Sequence, residues 1–90
     1  MLKTFSITVS GKVQGVYYRQ SAKEKARELG ISGTVKNLHN GNVLLVATGT
    51  PEQLEKLIAW CRRGPSRAVV SNVQVEEMEQ RSFDSFVIER

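Results

Sequence analysis

Residues 5–19 read Phe5-Ser6-Ile7-Thr8-Val9-Ser10-Gly11-Lys12-Val13-Gln14-Gly15-Val16-Tyr17-Tyr18-Arg19, and a change of period inside them decides the fold. Phe5, Ile7 and Val9 alternate with Ser6 and Thr8, the period of a strand with one buried face, which ends near Ser10. After the loop the apolar residues recur at helical spacing, as Tyr18, Ala22, Ala26 and Leu29, and Gly30 is placed to stop that helix. The chain therefore opens as strand, glycine-bracketed loop, helix.

The same reading carried outward supplies the remaining elements. Ile31 to Asn37, with Val35, reads as a second strand, and Asn40-Gly41 is a two-residue hairpin signal leading into a third strand from Asn42 to about Thr48. Thr50-Pro51-Glu52-Gln53 opens a second helix: threonine caps, proline suits the first helical position and Gln53 completes a capping box. Leu54, Leu57, Ile58 and Cys61 form its buried stripe, and Gly64-Pro65 ends it. Val69 to Val75 alternates as a fourth strand, and Phe83, Phe86 and Ile88 suggest a final short edge strand. The order β-α-β-β-α-β with one added strand predicts an α+β, ferredoxin-like sandwich. That is an antiparallel sheet with two helices on one face and an added short C-terminal strand. No linker, repeat or low-complexity segment interrupts it, so residues 1–90 are expected to form one domain. In such a unit the first strand-to-helix connection lies at the end of the sheet with its amides free. The fold hosts unrelated functions and does not decide this one.

Composition narrows the classes. Hydrophobic residues make up 40% and charged residues 24%, as in globular chains, not disordered ones. No apolar run is longer than that from Val43 to Ala47, far too short to span a membrane, and Met1 to Ser6 lacks the apolar stretch of a signal peptide, which makes the cytoplasm the default location. A single cysteine excludes an internal disulfide and a multi-cysteine zinc site; Cys61 reads as a small core hydrophobe on its helical stripe. His39, the only histidine, falls beside Asn40-Gly41 on a turn, and one histidine without clustered carboxylates is poor metal chemistry. Residues 1–36 carry seven Lys/Arg against two Glu, whereas residues 37–90 carry six against seven Asp/Glu. The positive excess lies in the half that holds the loop, which suits an anionic ligand and equally a weak interaction with nucleic acid.

The loop itself has the parts of a phosphate cradle. Glycines allow close backbone approach, the N-terminus of a helix offers free N–H groups, and Arg19 adds a forked donor suited to phosphate or carboxylate oxygens. It is neither common nucleotide fingerprint: Gly15 is followed by Val16 and Tyr17, not Lys-Ser/Thr, and Val13 stands where the dinucleotide pattern needs glycine. The spacing alone equally fits a tight turn with Arg19 as a solvated charge.

What is missing from the inventory then limits the chemistry. No cysteine or histidine lies near the loop, no Asp/Glu cluster has metal-ligand spacing, and residues 10–23 contain no acid at all. A phosphate monoester of an ordinary alcohol needs a proton donor, a metal or a covalent relay. A mixed anhydride of a carboxylic acid and phosphate expels a carboxylate whose conjugate acid has a pKa of about 4, so it needs no proton donor. A bound phosphoryl group, stabilised charge and a placed water suffice. Asn37, at the end of the second strand, can orient water without ionising, although an asparagine opening the Leu38-His39-Asn40-Gly41 turn is the commoner reason for such a residue.

Gly11 to Arg19 resembles the signature of the acylphosphatase family. Gly33-Thr34-Val35-Lys36-Asn37, followed by Gly41 and Val43, resembles its second signature, and Gly64-Pro65-Ser66-Arg67-Ala68-Val69-Val70 is similar to a third, weaker block. The order and spacing match along essentially the whole chain. The departures are Thr34, where many relatives carry an aromatic residue, and Asn40, where many carry aspartate; neither removes a group the chemistry uses. The resemblance implies a ferredoxin-like fold over residues 1–90 and hydrolysis of acyl phosphates to carboxylate and inorganic phosphate, with no metal and no cofactor. Carried over, it implies that Arg19 binds the phosphoryl group and Asn37 positions the attacking water. Backbone amides of Gly15, Val16, Tyr17, Tyr18 and Arg19 would form the cradle. Of Tyr17 and Tyr18, one is expected in the core and one on the cleft, with nothing in the sequence choosing between them.

Two other classes remain in view. A non-catalytic phosphate or acyl-phosphate binding module would share the same residues. An RNA-binding ferredoxin-like domain would need aromatics on its third strand, and Asn42-Val43-Leu44-Leu45-Val46 has none, so no nucleic-acid partner is expected. With one cysteine and no coiled-coil pattern, a monomer acting on a small molecule, with no membrane partner, is the expected state.

Overall fold

In the computed structural model, which describes residues 1–90, the alternation at Phe5, Ile7 and Val9 becomes β1 (Lys3–Lys12), and the helical spacing that follows becomes α1 (Tyr18–Glu28). The chain continues through β2 (Ser32–Asn37), β3 (Val43–Gly49), α2 (Pro51–Arg63), β4 (Val69–Met78) and β5 (Phe86–Ile88). The strands form one sheet in the order β4-β1-β3-β2-β5. Ile7, Val9, Val35, Leu45 and Ala47 lie on one face of it and form a single buried cluster with Ala22 and Ala26 of α1 and Leu54, Leu57 and Cys61 of α2. That is the ferredoxin-like α+β sandwich expected from the element order. The capping box at α2 forms in full: Gln53 N donates to Thr50 Oγ1 at 3.2 Å and Thr50 N donates to Gln53 Oε1 at 2.8 Å.

β1 occupies the sheet's interior, antiparallel to β3 on one side and to β4 on the other, so that Ile7 faces both Leu45 and Val75. The β1–β4 register shifts between Ser10 and Gly11. A side chain at Gly11 (φ 122°) would strike the Val69 carbonyl, so this glycine serves strand pairing and not a ligand.

The sheet is not antiparallel throughout. The four longer strands alternate as expected, but β5 pairs parallel with β2, matching Gly33 to Phe86 and Val35 to Ile88. The reason is the route of the chain: after β4, at one edge, it crosses the face away from the helices and docks at the opposite edge. Thr4 and Thr48, partners across β1 and β3, tether that crossing. Arg81 N donates to Thr4 Oγ1 at 2.9 Å, Thr48 Oγ1 donates to the Arg81 carbonyl at 2.8 Å, and the two hydroxyls lie 2.7 Å apart. Two threonines are thereby buried on a face that sequence pattern alone leaves open.

The hairpin between β2 and β3 also differs in detail. A two-residue Asn40-Gly41 turn needs positive φ at both residues, and only Gly41 has it, at 94°. Leu38 N donates to the Asn42 carbonyl at 2.8 Å, which makes the connection a three-residue loop of His39, Asn40 and Gly41. Asn40 instead uses its side chain, with Oδ1 accepting from Asn42 N at 3.0 Å.

Candidate active site

The loop between β1 and α1 is anchored by apolar side chains and leaves its backbone free. Val13 and Val16 are buried, while Gly15 (φ 74°) turns the chain through open space. Tyr17 is the only non-glycine residue with positive φ, at 70°; it caps α1 without a side-chain hydrogen bond. The first helical bond is Ser21 N to the Tyr17 carbonyl at 3.0 Å, so no N–H from Gly15 to Gln20 has a backbone partner. The first turn of α1 holds no acidic side chain, and its last turn holds Lys25 and Arg27. A run of free donors at the positive end of a helix dipole, with no carboxylate in that turn, is built for an anion.

The adjacent tyrosines divide the work. Tyr18 is buried, lies 5.2 Å from the Trp60 ring and donates its hydroxyl to the Cys61 carbonyl at 2.8 Å. Burial drives its pKa well above the usual phenol value. Tyr17 is 77% exposed and stands at the mouth of the loop. Cys61 is wholly buried, and burial pushes its thiol up to about 12, partly opposed by the neighbouring Tyr18 hydroxyl, so it remains a protonated core side chain.

Arg19 and Asn37 come together. Both line one cleft of about 390 Å³, along with Gln14, Gly15, Tyr17 and Gln20 from the loop and first turn and Ile88 and Arg90 from the far edge. Arg19 is half-buried and belongs to neither ion pair of the chain, which join Lys3 to Glu77 and Lys25 to Glu28. Asn37 closes β2, paired with Val43, and its buried Oδ1 has no hydrogen-bond partner in the protein. Buried polar atoms are almost always satisfied, and the exceptions mark functional positions or a place for water. The Val16 side chain faces the core and a neighbouring cleft, so only its backbone N–H belongs with this run of free donors.

Three contributors were not legible. Gln14 sits inside the quoted loop, but its role depends on partners 24 and 28 residues away: Nε2 donates at 2.8 Å to both the Leu38 and Asn42 carbonyls. It thus ties the loop to the base of the hairpin, next to Asn37. Ile88 and Arg90 reach the cleft only because β5 docks parallel beside β2, a pairing with no local signal. No group of three or more His, Cys, Asp or Glu side chains is placed to hold a metal ion, and His39 is exposed on its turn. No helix is long and apolar enough to cross a membrane.

The family model described as Acylphosphatase matches residues 5–88. An acylphosphatase of Marinobacter nauticus is 53% identical over 77 residues, 86% of this chain and 84% of its own. The solved acylphosphatase of Coxiella burnetii superposes with a TM-score of 0.95 at 43% identity, covering 98% of this chain and 93% of that one. The Bacillus subtilis acylphosphatase structure superposes at 0.94 with 28% identity over the full length of both.

Proposed function

The chain belongs to the acylphosphatase family, and we propose that it hydrolyses acyl phosphates by in-line attack of a water held by Asn37 on a phosphoryl group held by Arg19 and the Gly15–Arg19 amides. The equatorial phosphoryl oxygens take the free N–H groups of the loop and the guanidinium fork, which hold the transferring group and neutralise its charge. Water enters opposite the anhydride oxygen. Its oxygen bonds to phosphorus as the P–O bond to the acyl group breaks, and that electron pair leaves on the carboxylate. The water's proton passes to the phosphate being formed. A carboxylate with a conjugate-acid pKa of about 4 departs without protonation, so the absence of an acid beside the cleft costs nothing. Because the transition state is loose, a neutral amide that orients water is enough and no strong base is required. The proposed reaction uses neither metal nor cofactor, and its agent is a cytoplasmic monomer.

The observation that carries this reading is that Asn37 lines the cleft of Arg19 while its side-chain oxygen has no partner in the protein. The carboxamide, with one acceptor and two donors, has hydrogen-bonding capacity left for a water and can aim the water's lone pair at phosphorus. Asn37→Ala should lower kcat on benzoyl phosphate by about 10²–10³ with little change in KM, since the water matters in the transition state and not in substrate binding. Near-wild-type turnover by the folded variant would remove the assigned role.

A further inference from the structure

The loop that faces Arg19 and Asn37 also forms one wall of a second cleft, of about 440 Å³, on its other flank. Gly15 and Tyr17 line both. The second cleft is completed by Val16, Ser21, Pro65, Ser66 and Arg67, so it has apolar wall material beside the loop and a cation on the turn that follows α2. The hydrogen bond from Ala68 N to the Pro65 carbonyl, at 3.0 Å, closes a tight turn that presents Ser66 and Arg67. Arg67 is in neither of the chain's ion pairs, and no acidic residue lines the cleft.

The sheet order fixes how the two clefts relate. The loop rises from β1; Asn37 ends β2, two strands away on one side, and Arg67 precedes β4, the adjacent strand on the other. With strands spaced by roughly 4.8 Å, a phosphoryl group over the loop has Asn37 on one flank and the Ser66-Arg67 turn on the opposite flank. In-line displacement requires the leaving group to depart opposite the incoming water. Water on the Asn37 side therefore sends the carboxylate toward the second cleft. Gly15, which lines both clefts, puts no side chain between them, and one built there would meet nothing within 4 Å.

Resting on the acyl-phosphate reading above, we infer that this second cleft receives the acyl group, and that Arg67 selects acyl groups carrying a further negative charge. The acyl body lies against Val16, Pro65 and the exposed ring of Tyr17, and a second carboxylate or phosphate at its far end meets the Arg67 guanidinium. The substrate class is an acyl phosphate that is anionic at both ends.

The test uses the intact protein and two isosteric substrates, 4-carboxybenzoyl phosphate and neutral 4-carbamoylbenzoyl phosphate, with the ratio of their kcat/KM values as readout. The wild type should prefer the carboxylate by roughly two- to fivefold at low salt, the strength of an exposed charge pair, and the preference should shrink as salt screens it. Arg67→Gln should bring the ratio to about one and Arg67→Glu should invert it. Because each ratio is taken within one variant, loss of folded protein cancels. A wild-type ratio of about one with both substrates hydrolysed, or a preference that survives Arg67→Gln, would overturn the inference and leave the hydrolase reading standing. Failure to hydrolyse either substrate would overturn both.

Discussion

At the scale of single residues, the site joins side chains whose types are readable and whose partners are not. Arg19 is visible in the sequence as the forked donor closing a glycine-bracketed loop, and the structure leaves it half-buried beside the free amides of the first turn. Arg19→Lys keeps the charge but loses the planar fork, so kcat/KM on benzoyl phosphate should fall by at least about 10², and a loss under tenfold would show that a point charge suffices. Asn37 was ambiguous in the sequence because an asparagine before a turn explains itself. The unpartnered buried Oδ1 is a fact of packing, and no local pattern carries it. Gln14 shows the same limit: its two carbonyl partners come from the far side of the hairpin. A one-dimensional pattern reports which face a residue takes, and says nothing of what meets it there.

At the scale of elements, each helix and strand is legible from its period and α2 also from its cap; β4 runs on to Met78, β5 leaves out Phe83, and the larger differences lie in how elements join. The turn after β2 carries the Asn-Gly signal yet uses three residues, because Asn40 spends its side chain on Asn42 N instead of adopting positive φ. The parallel docking of β5 follows from a crossing tethered by Thr4 and Thr48, whose side chains look solvent-facing when read by alternation. The start of α1 is held by Tyr18, whose hydroxyl satisfies the Cys61 carbonyl in the last turn of α2, one of the acceptors that a helix end leaves without a partner. Tyr18→Phe should therefore cost about 1–3 kcal/mol of unfolding free energy in urea, the price of a buried acceptor left unpaired. An unchanged midpoint would mean that the ring packing alone fixes this joint.

At the scale of the whole molecule, charge and burial set the conditions under which the site works. The positive excess in residues 1–36 lies in the same half as the cradle, and the acidic residues concentrate in the other half. Burial also gives stability a pH dependence on the alkaline side. Cys61 has an ordinary pKa of 9.0 and a folded value of about 12, so between these the unfolded chain loses a proton that the native chain keeps. This stabilisation is complete below pH 9 and declines as pH rises, by roughly 1.4 kcal/mol per unit, with Tyr18 adding in the same direction above its own ordinary value of 10.0. Urea midpoints should fall between pH 8 and pH 10.5, and Cys61→Ala should flatten the decline; midpoints equal at both pH values would contradict it. The proposed function rests on the match between the leaving group and the groups at hand: a loop of free amides, an asparagine able to hold water and no proton donor beside them. The most direct measurement of that match is hydrolysis of benzoyl phosphate beside phenyl phosphate, each with and without EDTA. Rapid cleavage of the anhydride alone, unchanged by EDTA, is the expected result. Comparable cleavage of the monoester, or activity lost to EDTA and restored by a divalent metal, would contradict it.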